Sequence, residues 1–201
     1  MAHHQPAPAD APAESATPVQ PPLGTLTWLR AVDHPELLAG PTHAALLEWA
    51  RHDPSVAADV RVAEIDPEVS DTAAMSERYE IPMEASVNCV LVAGKREGVE
   101  RTAAAAVRAS TRADVNGAIK KLLDVRKASF VPTERAVEES GMEYGGITPI
   151  GLPVGWLVLL DAAAADGWIV IGSGVRRSKI ALPGELLAAF PGVQVVEDLA
   201  R

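Results

Sequence analysis

The residues of this chain that could do chemistry gather in two glycine loops and one strand. The stretch Gly141–Leu182 opens with Gly145-Gly146-Ile147-Thr148-Pro149-Ile150-Gly151. It closes with Gly172-Ser173-Gly174, followed at once by Arg176, Arg177 and Lys179. Glycine lets the backbone reach φ > 0 or come close to a ligand. Two such loops at strand ends can frame one pocket with exposed backbone N–H groups, which suit an anionic or carbonyl-bearing ligand. The same residues also make ordinary hairpin turns, for which glycine is the default. Thr148, Ser173, Asn88 and the basic side chains complete the polar set. Together these groups can bind a carbonyl and a ribose and stabilise a developing oxyanion, with little general-base power.

Much other chemistry is excluded. All five histidines (His3, His4, His34, His43 and His52) precede residue 60, and Cys89 is the one cysteine. That leaves no zinc site of the usual spacings, no Ser–His–Asp arrangement and no Cys–His pair. No GxxxxGK[ST] loop is present, and Gly172-Ser173-Gly174-Val175-Arg176-Arg177 is not a GxGxxG fingerprint. Neither a metal nor a cofactor is expected. A single cysteine allows no intrachain disulfide and fits a reducing cytoplasm. No apolar run approaches the roughly 20 residues of a bilayer span. The start, MAHHQPAPAD, lacks the basic and apolar regions of a secretory signal. A cytoplasmic protein with no membrane partner is expected.

The net charge of −9 is uneven, with −5 in residues 1–60 and −4 in residues 61–201. From Lys95 to Lys127 the sign reverses to +5. An acidic chain with one basic segment is not a general nucleic-acid coat, so DNA is not an expected partner. The segment can hold an RNA end locally, or it is a solvated helix face with charged turns.

These loops must be positioned by strands and helices that the pattern places as follows. Residues 1–24 are Ala-, Pro- and Gln-rich and predict a disordered tail. Residues 25–59 predict a short strand near Leu26–Leu29 and helical turns at Thr42–Trp49, an appendage to the main domain of residues 60–201. There, strands are expected at Val60–Ile65, Val87–Ala93, Val99–Val107, Ser129–Val131, Gly155–Leu160, Trp168–Ile171 and Val193–Val196. Helices are expected at Asp66–Tyr79, from a capping box at Thr111-Arg112-Ala113-Asp114 to Leu123, at Pro132–Ser140 and at Pro183–Phe190. Gly94–Gly98 reads as a charged hairpin turn. Strands and helices mix without strict alternation, which indicates an α+β fold.

The run GGITPIG, the gap after it, and GSGVRR leading into SKIAL resemble the YbaK/EbsC family of aminoacyl-tRNA deacylases and prolyl-tRNA-synthetase-associated domains. The resemblance runs from about Arg61 to the C-terminus. It implies a curved mixed sheet flanked by helices, and hydrolysis of the ester joining a wrong amino acid to tRNA. In such a site Gly145, Gly146, Thr148, Pro149 and Gly151 would bound a small amino-acid pocket. Ser173, Gly174, Arg176 and Lys179 would contact the substrate, with Arg176 reaching the terminal phosphates. The partner implied is a tRNA acceptor end, with an aminoacyl-tRNA synthetase as a further candidate.

One position departs from the family pattern. Its deacylases usually carry a lysine at the start of the Val87–Ala93 strand, and here that position holds Asn88. An amide donates a hydrogen bond to a carbonyl but brings no charge. Lys95 and Lys179 are the candidate replacements. Lys95 lies seven residues along, roughly 23 Å away by strand rise, and Lys179 is better placed. Two main readings follow: a free-standing deacylase with Asn88 as catalytic donor, or a non-catalytic module that binds an aminoacyl or tRNA terminus or a small amino acid. A weaker third is a structural accessory of a synthetase, docking through Trp28 and Trp49.

Overall fold

The computed structural model describes residues 20–201, so the expected tail lies outside the described residues up to position 19. Its last part, Gln20–Gly24, is packed: Leu23 is buried, and its carbonyl accepts the Trp28 indole N–H at 3.1 Å.

In chain order the elements are β1 (Leu29–Arg30), α1 (Gly40–His52), α2 (Pro54–Asp59), β2 (Arg61–Glu64) and α3 (Thr72–Tyr79). The long hairpin β3 (Val87–Arg96) and β4 (Val99–Arg108) follows. A π turn at Val115–Ile119 then runs into α4 (Lys120–Leu122), followed by β5 (Ala128–Phe130) and α5 (Thr133–Ser140). Last come β6 (Leu157–Asp161), β7 (Trp168–Gly172), β8 (Ser178–Pro183), α6 (Gly184–Ala188) and β9 (Val193–Val196). The strands form two sheets, a four-stranded antiparallel one ordered β1-β2-β8-β7 and a five-stranded mixed one ordered β5-β3-β4-β6-β9. The sheets touch through a parallel bridge between Ser86 and Val170.

The α+β class and single-domain architecture are as expected, and the differences have local causes. The β3–β4 hairpin is longer than its glycines suggest. Lys95 and Arg96 still pair with Glu100 and Val99, and only Glu97 and Gly98 turn, at φ +53° and +81°. Two positive φ values in a two-residue loop match the right-handed twist of the strands. Ala103–Ala106 could have been helical but lie buried between β3 and β6, where small side chains fit a central strand. The helix expected from Thr111 begins instead at Val115. Arg112 exchanges backbone hydrogen bonds with Arg201, which holds that segment extended. The Asp114 carboxylate then caps the N–H groups of Gly117 and Ala118 at 3.0 and 3.2 Å. Residues 25–59 are part of the body of the domain. Leu46, Trp49 and Val56 share one core cluster with Ile150, Leu160 and Ile171, and β1 extends the first sheet.

The two glycine loops lock onto each other. Gly174 N–H donates to the Gly146 carbonyl at 2.7 Å, and Glu143 N–H donates to the Gly174 carbonyl at 2.8 Å. A Cβ on Gly172 would lie 2.3 Å from the Gly146 oxygen and 2.6 Å from the Ile147 oxygen, so only glycine lets the first loop cross β7 there. Overpacking against backbone costs about 1–3 kcal/mol. Gly172→Ala is therefore expected to lower the unfolding free energy by that amount in urea denaturation. Gly40→Ala, at the open first position of α1 with no atom near the new Cβ, should be neutral or stabilising by up to ~1 kcal/mol.

Candidate functional site

A cavity of about 360 Å³ opens where the sheets meet, among the first residues of β3, the start of α3 and the β7–β8 end of the first sheet. Its polar lining includes Asp71, Thr72, Asn88, Tyr144, Gly145 and Lys179, and Met75, Val87, Val170 and Ile171 supply apolar wall.

Lys179 lies on β8 directly opposite Gly172. Cross-strand partners face the same side of a sheet. The absent Gly172 side chain therefore leaves that face to the first glycine loop, and the loop lies over Lys179. The lysine is 7% exposed, and its Nζ donates to the Gly145 carbonyl at 3.3 Å. Burial, with a smaller push from the Arg176 guanidinium, lowers its pKa to about 8, while the Asp71 carboxylate acts in the opposite sense.

Asn88 faces solvent at the mouth of the cavity. Its Oδ1 accepts the Thr72 hydroxyl at 2.9 Å, which fixes the amide so that the Nδ2 hydrogens remain for a ligand. Thr72 opens α3, so that helix sets the orientation of a side chain on β3. Cys89 packs with the cluster of Leu91, Ala104 and Val131, and burial pushes its thiol up to about 12, far from a reactive thiolate.

Of the residues singled out by sequence, the fold brings Asn88, Gly145 and Lys179 together on one cavity. Arg176 sits at its rim: a Cβ on Gly145 would lie 3.1 Å from the Arg176 Nη1, and the Arg176 Nε donates to the Pro67 carbonyl at 3.0 Å. Gly146, Thr148, Pro149, Gly151, Ser173 and Gly174 do not line it. Thr148 and Pro149 are buried. Gly151 packs against Pro41, and Gly174 packs against Ala39 and Thr42. The Ser173 hydroxyl lies between the Val175 and Ser178 carbonyls at 3.0 Å each. These residues support the lining loop from behind. Lys95 lies at the far end of β3, opposite Glu100.

Several of the backbone donors expected of the two loops are already committed. Gly146 N–H donates to the Glu143 carbonyl and Gly174 N–H to the Gly146 carbonyl. Thr148 N–H meets the Met142 sulfur, and Arg176 N–H meets the Glu143 carboxylate. Loops that brace each other in this way spend their N–H groups on the bracing, and the loop turns the Gly145 carbonyl toward the cavity lysine. The charge offered to a ligand comes from side chains, and the N–H groups of the lining residues Gly145 and Ile147 have no acceptor among the described residues.

Asp71, Thr72 and Tyr144 escaped the sequence reading. Nothing in the helix pattern indicated that α3 begins at the foot of β3. Tyr144 did carry a signal, as an aromatic residue immediately before the glycine loop.

Three of the nine basic side chains from Lys95 to Lys127 have structural partners. Arg96 and Arg101 pair with Asp124, and Arg108 bonds the carbonyls of Glu84, Ala163 and Asp166.

Residues 66–190 match the family model of the aminoacyl-tRNA editing domain, and the chain belongs to that family. The match spans α3, both glycine loops and Lys179. Among solved structures, the hypothetical protein APE2540 superposes with a TM-score of 0.66 at 16% identity, covering 78% of this chain and 99% of that one. A candidate trans-editing enzyme for prolyl-tRNA synthetase gives 0.62 at 17% identity, covering 77% and 94%. At such identities these likenesses concern the fold. No curated protein matches the sequence. No described helix is long and apolar enough to cross a membrane, and no metal-binding cluster occurs among the described residues.

Lys179 is expected to titrate near pH 8 in an NMR experiment on its side-chain signals. Arg176→Gln should raise that midpoint by removing a neighbouring cation, and Asp71→Asn should lower it further. The folded pKa lies below the ordinary value of 10.5. Unfolding free energy should therefore rise from about pH 8 to pH 10.5, where the unfolded chain binds the extra proton.

Proposed function

We propose that this protein is a free-standing deacylase that hydrolyses the ester of mischarged tRNA, with Lys179 and Asn88 as paired donors to the ester carbonyl. The observation that carries this reading is a buried lysine ammonium and an oriented amide lining one cavity of amino-acid size. As water attacks the ester carbon, negative charge builds on the carbonyl oxygen. A cation and an N–H donor fixed beforehand stabilise that charge better than they stabilise the neutral ester. The bond to the ribose oxygen then breaks, and the tRNA hydroxyl leaves. Asp71 is the cavity carboxylate able to take up the proton of the attacking water. Met75, Val170 and Ile171 would border the acyl side chain, whose size is limited by sterics. The partner is the acceptor end of a tRNA. A synthetase partner fits the same reading, since a trans-acting editor works on that enzyme's misacylated product.

A second reading, a module that binds the same terminus without hydrolysis, is favoured by one observation: an uncharged Asn88 stands where the family's deacylases usually carry lysine.

Deacylation of a panel of mischarged tRNAs separates the two. The natural chain is expected to release amino acid from at least one of them. Removing one oxyanion donor costs about 10²–10³-fold in kcat, so Lys179→Met should fall by that factor and Asn88→Ala by less, with KM little changed in both. Turnover should also decline as pH rises through about 8, once spontaneous ester hydrolysis is subtracted, because the ammonium is lost. Tight binding of charged tRNA without release by the natural chain would establish the second reading.

A further inference from the structure

Two large aromatic side chains stand well exposed among the described residues, Phe130 and Tyr144, and only Tyr144 lines the cavity. It is 61% exposed, although it sits in a loop braced by hydrogen bonds to the second glycine turn. The neighbouring Gly146 N–H is bonded to the Glu143 carbonyl at 2.9 Å, and Gly145 holds φ +80°. The backbone that carries the ring is therefore held while most of the ring remains exposed. Next to Gly145 lies the Arg176 guanidinium, whose Nε donates to the Pro67 carbonyl and which has no salt-bridge partner among the described residues. The cavity edge thus presents an aromatic ring and a glycine, with a guanidinium that has no carboxylate partner packed beside that glycine.

The molecule has another cleft with an aromatic wall, lined by Arg101, Arg135 and Trp156. Its guanidinium groups are committed, Arg101 to Asp124 and Arg135 to Glu100 and Glu139. That cleft offers no free positive charge, and the Tyr144 rim does.

We propose that Tyr144 is a stacking platform for the terminal nucleobase of the acceptor strand, with Arg176 beside it facing the 5′-phosphate of the same nucleotide. The inference rests on the deacylase reading for the identity of the nucleotide, which is the adenosine that ends every tRNA. The chemistry itself is independent of hydrolysis. A base stacked on an exposed ring is recognised through its π face, and a planar guanidinium suits a phosphate. With the base on the rim, the ribose hydroxyl that bears the acyl group points inward, and the ester is delivered toward Lys179 and Asn88. Tyr144 would then govern substrate affinity and leave the chemical step to the groups inside.

The test uses 5′-AMP and ribose 5-phosphate as probes on the full chain, with binding followed by NMR. 5′-AMP should shift the Tyr144 ring and Gly145 amide signals. Stacking on an aromatic is worth about 1–3 kcal/mol per base, or roughly 5–150-fold in affinity. Tyr144→Ala should weaken 5′-AMP by a factor in that range, Tyr144→Phe should bind it within about threefold of the natural chain, and ribose 5-phosphate should bind all three alike. Arg176→Gln should weaken both probes. In deacylation, Tyr144→Ala should raise KM with kcat nearly unchanged. Equal 5′-AMP binding by the natural chain and Tyr144→Ala, or no shift at the loop signals, would overturn the proposal even in an active deacylase. Loss in Tyr144→Phe as large as in Tyr144→Ala would overturn it too, since the hydroxyl and not the ring would then be responsible. A chain that releases no amino acid yet binds 5′-AMP through Tyr144 would keep the subsite and remove the deacylase reading.

Discussion

A lysine ammonium held under a loop, away from most of the solvent, is costly unless its charge is met. Around Lys179 the fold meets it only in part. One loop carbonyl, from Gly145, accepts its proton, Asp71 contributes attraction from the start of α3, and Arg176 opposes it. Burial leaves the lysine with a pKa lowered to about 8, poised between charged and neutral near physiological pH. Much of the surrounding architecture can be read as what this placement requires. Gly172 has no side chain, so a loop can cross the face of β7. That loop has Gly146 where it meets Val175; its Gly146 N–H bonds back to the Glu143 carbonyl, its Gly146 carbonyl accepts from Gly174 of the second turn, and its Gly145 carbonyl is left for the cation. The segment from Leu37 to Thr42 backs the second turn, with the Ala39 N–H donating to the Ser173 carbonyl and the Leu37 carbonyl accepting the Ser178 hydroxyl.

The same geometry bears on the substitution at Asn88. The start of β3 and the end of the first sheet face each other across one cavity, joined at Ser86 and Val170. A charge absent from one wall is thus available from the other, without any change in the path of the chain. On the proposed reading, Asn88 keeps the hydrogen bond, with its orientation set by Thr72, and Lys179 supplies the charge. Separating these two tasks removes the like-charge repulsion that two lysines in one small cavity would suffer. On that reading the departure at Asn88 redistributes the two roles across the sheet junction.

Most strands and helices could be read from apolar patterning, and β9 falls where the pattern puts it, while α3 begins at Thr72, later than expected, and β8, buried along its length, was not read as a strand. The glycine loops were equally visible, but their role was not. Glycine in a sequence does not say whether the missing side chain makes room for a ligand or for another stretch of backbone. Here Gly146, Gly151, Gly172 and Gly174 all make room for backbone or for residues 39–42, and of the loop glycines Gly145 and Gly172 line the cavity. The start of the helix at Val115 was missed because a long-range backbone pairing with Arg201 decides it. The integration of residues 25–59 was missed because a short amphipathic helix looks the same whether it caps a domain or completes its core. The tertiary placement of α3 against β3 explains why Asp71 and Thr72 carried no signal at all.

The central claim is that the site needs one ammonium group and tolerates its delivery from either wall. It is tested most directly by moving that group, comparing deacylation by Lys179→Met with that of the double variant Lys179→Met/Asn88→Lys, both verified as folded. The account predicts that the single variant is severely impaired and that the double variant recovers a substantial part of the lost turnover. Full activity in Lys179→Met, or a double variant no better than the single one, would contradict it.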